Sequence, residues 1–132
     1  MAMQFKLTSI VVNDQKKAIA FYTAKLGFQI KTQIHVHGAG FDWITLVSPD
    51  APDGTELALE PMGMEFARTF YETLYAKKIP ATAFAAADVE AEYKRLKAAG
   101  VEFTQPPKKE GDFPMTAVFD DTVGNLIQIF EA

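Results

Sequence analysis

The stretch Phe5-Lys6-Leu7-Thr8-Ser9-Ile10-Val11-Val12-Asn13-Asp14, followed by Gln15-Lys16-Lys17-Ala18-Ile19-Ala20-Phe21-Tyr22-Thr23-Ala24-Lys25-Leu26-Gly27, decides the fold. Phe5 to Val12 is rich in apolar and β-branched residues and reads as a buried strand. Asp14 can accept from the first free amides of a helix. Ala18, Ile19, Phe21, Tyr22 and Leu26 then share one broad face, with Lys16, Lys17 and Lys25 outside it, and Gly27 suits the left-handed position that ends helices. The pattern predicts a helix over about Gln15 to Leu26.

Outward from this unit, Phe28–His37 and Phe41–Val47 read as strands joined through Gly38-Ala39-Gly40. Ser48–Gly54 reads as a loop and Thr55–Glu60 as a short strand. Phe66, Phe70 and Leu74 recur at fourfold spacing, widened by Tyr71 and Tyr75, and predict a helix that ends at Lys77, Lys78 and Pro80. The opening pattern then returns. Ala81–Ala86 reads as a strand, Asp88 as a cap, Val89, Tyr93 and Leu96 as a helix face, and Gly100 as a stop before the strand Val101–Thr104. Gln105–Asp112, with two prolines, reads as a flexible loop, and Phe113–Phe119, the turn Asp120–Gly124 and Asn125–Phe130 complete the chain. Asp14 is matched by Asp88, Gly27 by Gly100 and Gly54 by Gly124, each about 70 residues on, which points to a duplicated unit.

The 132 residues suit a single domain, and 48% hydrophobic with 23% charged residues is ordinary globular composition. No cysteine is present, so disulfides, thiolate metal sites and a cysteine nucleophile are excluded, and a cytoplasmic location is expected. No signal peptide or membrane-spanning stretch is read. The formal net charge is -4 and basic residues are scattered among acidic ones, so nucleic acid is not an expected partner.

Ile10-Val11-Val12-Asn13-Asp14 with Ala18-Ile19-Ala20-Phe21-Tyr22 and Leu26-Gly27-Phe28, then Asp88-Val89 through Gly100-Val101, then Phe119-Asp120-Asp121-Thr122-Val123-Gly124-Asn125-Leu126-Ile127-Gln128-Ile129, resembles the vicinal oxygen chelate superfamily. That group includes glyoxalase I, bleomycin-resistance proteins and extradiol dioxygenases. The resemblance implies an α+β fold of paired βαβββ modules, forming a curved, partly open eight-stranded mixed sheet around a cavity. Module one would cover about residues 1–62, a connecting helix about 63–79 and module two about 80–132. It further implies a homodimer.

In metal-dependent members each module gives one metal ligand from its first strand and one from its last. Those places fall here on Leu7, Thr82, Ala58 and Gln128, none a histidine or carboxylate. The expectation is therefore a protein without the usual metal or other cofactor. The weaker alternative is a divalent ion on His35, His37 and Glu60, with Asp42 as a further donor. Glu60 lies two residues from Ala58, on the same strand face, and reads equally as a solvated strand end. Against the metal, the two histidines read as a solvent-facing or rim pair near a hairpin tip.

Trp43 and Thr45 share a strand face and read either as core or as a cavity wall, since sequence does not fix which face points inward. Gln128 lies opposite Ile127 and Ile129 and offers both donor and acceptor. The expected ligand-binding set is Trp43, Thr45, Glu60, Thr82, Phe84 and Gln128. The expected function is binding of a small molecule. Two alternatives stand beside it: an enzyme, either a glyoxalase-like lyase or dioxygenase on a non-standard metal or a metal-free isomerase, and a structural or interaction module.

Overall fold

A computed structural model describes residues 2–132. Two compact units meet at the Met64–Glu65 bond. Each carries a four-stranded mixed sheet, so the eight expected strands are hydrogen-bonded as two sheets of four. The fold is α+β, with three α-helices among the described residues, none long and apolar enough to cross a membrane.

The first unit holds β1 (Leu7–Val12), α1 (Gln15–Ala20), β2 (Gln29–Val36), β3 (Phe41–Val47) and β4 (Glu56–Pro61), in sheet order β1-β4-β3-β2. Asp14 caps α1 as its sequence position requires, accepting from the Lys17 amide at 3.0 Å. The helix differs from expectation in its last part, where Phe21–Lys25 form a π-helical turn before Gly27 stops the chain at φ +86°. The wider turn coincides with two consecutive buried aromatics, Phe21 and Tyr22, the latter fully enclosed.

First and last strands pair in parallel, Leu7 beside Glu56, Ser9 beside Ala58 and Val11 beside Glu60. Because side chains alternate, Ile10, Val12, Ile44, Leu46, Leu57 and Leu59 form the buried face on the helix side. Ser9, Trp43, Thr45, Ala58 and Glu60 point the other way.

The antiparallel ladder between β3 and β4 is short, Thr45 to Ala58 and Leu46 to Leu57. Beyond it the Gln15 carboxamide bridges the two strands. Its Nε2 donates to the Asp42 and Leu59 carbonyls at 2.8 Å each, and its Oε1 accepts from the Asp42 amide at 3.1 Å. One side chain thus replaces ladder bonds whose loss would leave part-buried backbone groups unpaired.

The second unit holds α2 (Glu65–Ala76), β5 (Thr82–Ala86), α3 (Val89–Ala98), β6 (Phe103–Lys108), β7 (Thr116–Asp120) and β8 (Leu126–Glu131), in sheet order β5-β8-β7-β6. Asp88 caps α3 through the Ala91 amide at 3.0 Å, and Gly100 ends the helix at φ +90°. Tyr93 of α3 meets Phe103 edge-on at 4.7 Å, and Phe103 meets Phe119 at 5.7 Å, so α3 covers the face carrying Phe119, Ile127 and Ile129.

The segment read as a loop from Gln105 is instead strand as far as Lys108. Its two prolines are tolerated because β6 is an edge strand, where missing amide donors need not break a ladder, and the register shifts on both sides of Gln105.

Replacing Gln15 by leucine removes the bridge between β3 and β4 while keeping apolar bulk. The expected loss is about 1–3 kcal/mol of unfolding free energy in urea. Gln15→Glu should be no better, since a carboxylate would face two carbonyls. Unchanged stability in both variants would show that the bridge contributes nothing.

Candidate functional site

β7 and β8 are joined by a turn built on aspartates. The buried Asp121 carboxylate accepts from the Val123 and Asn125 amides and from Asn125 Nδ2, all at 2.9 Å, so its charge is met by three N–H donors. Asp120 accepts from the Thr122 amide at 2.7 Å and, through its other oxygen, from the Tyr75 hydroxyl of α2. Thr122 takes φ +66°, a left-handed conformation held by these bonds. The turn fixes the register that follows, Asp120 beside Leu126 and Val118 beside Gln128.

That register presents Gln105, Thr116, Val118, Gln128 and Phe130 on the face away from α3. A cavity of about 420 Å³ opens there, lined by Gln105, Lys108, Glu110, Phe113, Pro114, Thr116, Gln128 and Phe130. Gln105 Nε2 donates to the Thr116 carbonyl and hydroxyl oxygens at 3.2 Å each. Lys108 Nζ and a Glu110 oxygen are 2.7 Å apart, and the ammonium holds the Glu110 carboxyl below its ordinary pKa. The Gln128 side chain has no hydrogen-bond partner among the described residues. A volume of this size falls within the range of small-molecule pockets.

β5 pairs in parallel with β8, Thr82 beside Ile127, Ala83 beside Gln128 and Phe84 beside Ile129. Thr82 and Phe84 therefore stand on the α3 side, opposite Gln128, and do not share a wall with it. Counting equally far back from Asp14 and Asp88 gives Leu7 and Ala81; the choice of Thr82 is one residue off, and one residue reverses the face. The neighbours of Gln128 and Phe130 on β5 are Ala83 and Ala85.

In the first unit Trp43, Thr45 and Glu60 do share a face. Thr45 is buried and donates to Glu56 at 2.6 Å, so its hydroxyl is already engaged; Trp43 and Glu60 are half-buried. His35 and Asp42 pair across β2 and β3 on the opposite face. Their atoms are 2.9 Å apart, hydrogen bonds from His35 and then Gln33 hold the Asp42 carboxyl below its ordinary pKa, and the His37 ring lies edge-on to His35 at 5.4 Å. The two histidines and Glu60 are not brought together, and no group of three or more histidine, aspartate or glutamate side chains able to hold a metal occurs among the described residues.

The sequence reading missed Gln105, Lys108, Glu110, Phe113, Thr116 and Phe130. The usable signal was the alternation of Thr116, Val118 and Asp120 against Ala117 and Phe119, which places Thr116 with Gln128 once the turn is known.

Residues 4–129 match the Glyoxalase/Bleomycin resistance protein/Dioxygenase superfamily. The chain belongs to that superfamily. It is 50% identical to the uncharacterized protein YurT of Bacillus subtilis (strain 168) over 129 residues, 98% of this chain and 99% of the relative. The crystal structure of UcmS2 matches over the whole of both chains with 31% identity and a TM-score of 0.83. TnmS3, an antibiotic binding protein from Streptomyces sp. CB03234, is 25% identical with a TM-score of 0.72, covering 98% of this chain and 96% of its own. The two solved structures share the α+β arrangement described above.

Tyr75 tests the turn that positions β8. The Asp120 carboxylate accepting its proton raises its pKa from 10.0 to about 12, with burial adding to the effect. A raised folded value means that the bond's contribution to stability is present below pH 10 and lost as pH rises through about 12. The near-ultraviolet phenolate difference between wild type and Tyr75→Phe should therefore titrate near 12, and Asp120→Asn should return it toward 10. A midpoint near 10 in the wild type would show that this bond is absent in solution.

Proposed function

We propose that this protein binds a small organic molecule in the second-unit cavity, without the divalent metal of the catalytic relatives. The observation that carries the reading is the donor set. The positions that the superfamily pattern assigns to ligands hold Leu7, Ala58 and Gln128, and the β5 residues on that side are alanines, so the residues present do not fit a divalent ion. Gln128 instead contributes a neutral carboxamide beside Phe113, Phe130 and Thr116. A neighbour described as an antibiotic binding protein supports a ligand of antibiotic-like size.

Two measurements test this. Protein purified without chelator should carry far less than one zinc, nickel, iron or manganese per chain; stoichiometric metal would overturn the reading and favour a lyase or dioxygenase. A screen of aromatic antibiotics should raise the melting temperature, since a ligand at a hundred times its Kd stabilises by about 2.7 kcal/mol, and Gln128→Leu should reduce the shift.

We also infer a homodimer, supported by the superfamily resemblance and by α2, which buries no residue and leaves Phe66 and Phe70 largely exposed. Sedimentation should give twice the chain mass, and Phe70→Glu should lower it; a wild-type monomer at micromolar concentration would refute the assignment.

A further inference from the structure

We infer that the ligand of the second-unit cavity is an uncharged, flat, fused-ring molecule whose edge carries a hydrogen-bond donor beside an acceptor, as in a lactam or imide. The inference rests on the binding role proposed above and adds the chemical class.

Charge comes first. The lining holds one cation and one anion, and these pair with each other at 2.7 Å. An anionic ligand drawn to Lys108 would meet Glu110 beside it, and a cationic ligand drawn to Glu110 would meet Lys108. Both side chains are half or more exposed, so the pair adds no net charge to the lining and leaves a charged ligand no uncommitted counter-ion there. The lining therefore selects neither sign.

Shape follows from side-chain size. Phe113, Pro114 and Phe130 supply apolar surfaces, two of them aromatic rings that favour stacked or edge-on packing against another ring. Beside Gln128 and Phe130, β5 presents only Ala83 and Ala85 on this face. These small side chains keep the sheet face low on the β5 side of Gln128, at the border of the cavity, so no β5 side chain blocks a planar molecule stacked on the rings.

Hydrogen bonding sets the edge. Gln105 spends its Nε2 on Thr116, which leaves its carbonyl oxygen as an acceptor and the Thr116 proton as a donor. Gln128 is the group without a protein partner among the described residues, and its carboxamide carries donor and acceptor side by side. A cis-amide edge, N–H next to C=O, pairs with both at once. A ligand with an acceptor alone would leave the second half of Gln128 unpaired, at a cost of order tenfold in affinity, about 1.4 kcal/mol.

The probe is phenanthridin-6(5H)-one, a neutral tricyclic lactam, followed by its own fluorescence. Its N-methyl derivative keeps the rings and blocks the donor; phenanthrene-9-carboxylate keeps the rings and adds a charge. The lactam should bind about tenfold more tightly than either comparator. Gln128→Leu should abolish the preference over the N-methyl compound. The second variant, Phe113→Ala, alters an exposed loop residue that the fold does not depend on, and should weaken both by a similar factor. Equal binding of lactam and N-methyl lactam, or preference for the carboxylate, would overturn the inference while leaving the small-molecule role intact. Failure of all three compounds to bind would also overturn it, and the small-molecule role would then be decided by the metal and antibiotic measurements.

Discussion

The parallel pairing of the first and last strands within each unit decides which side chains any ligand can meet. A pleated strand offers its residues to two faces by turns, so the partner of Gln128 on β5 is Ala83, and Thr82 and Phe84 go beneath α3. The same pairing in the first unit puts Ser9 beside Ala58 and Val11 beside Glu60. The aliphatic core residues go to the helix side, and the opposite faces carry a mixture of small, polar and aromatic side chains, Ala58, Glu60 and Trp43 in one unit and Ala83, Gln128 and Phe130 in the other. The antiparallel neighbours are held by side chains as well as by ladder bonds. The Gln15 carboxamide continues the β3–β4 connection where the ladder stops, and the Asp121 turn sets the β7–β8 alignment.

Much of the fold was legible because its punctuation is chemical. Asp14 and Asp88 cap the helices they were read to cap, Gly27 and Gly100 stop them in left-handed conformations, and β3 runs over the span its sequence implied. The departures have physical causes. Gln105–Lys108 looked like a loop because prolines oppose central strands, but an edge strand makes no such demand. The π-helical turn at Phe21–Lys25 leaves no mark in the apolar spacing, which reads simply as helix.

The candidate site was legible only in part. Gln128 was identified because it stands between two isoleucines and must face away from them. Thr82 and Phe84 were misplaced because a strand of alternating small and large residues suits either face, and only pairing with β8 decides. Trp43, Thr45 and Glu60 do share a face, but Thr45 is committed to Glu56, a partner that no periodicity predicts because it lies across a strand pair. His35 and His37 behaved as an i, i+2 pair should, yet pairing with Asp42 on the other side of the sheet separates them from Glu60.

Exchanging ligating side chains for neutral ones changes what such a surface can recognise. A metal centre draws oxygen donors by charge, with an interaction strong enough to tolerate much variation in the rest of the molecule. A carboxamide flanked by aromatic rings has no comparable single attraction, and each net hydrogen bond contributes only about 0.5–1.5 kcal/mol. Under the binding role proposed above, selectivity comes from several weak terms acting together: ring contact with Phe113 and Phe130, two-point pairing at Gln128, and the lack of net charge in the paired Lys108 and Glu110. On the β5 side of Gln128 and Phe130, Ala83 and Ala85 add only methyl groups to that face, so no bulky β5 side chain competes there with a ligand for the carboxamide.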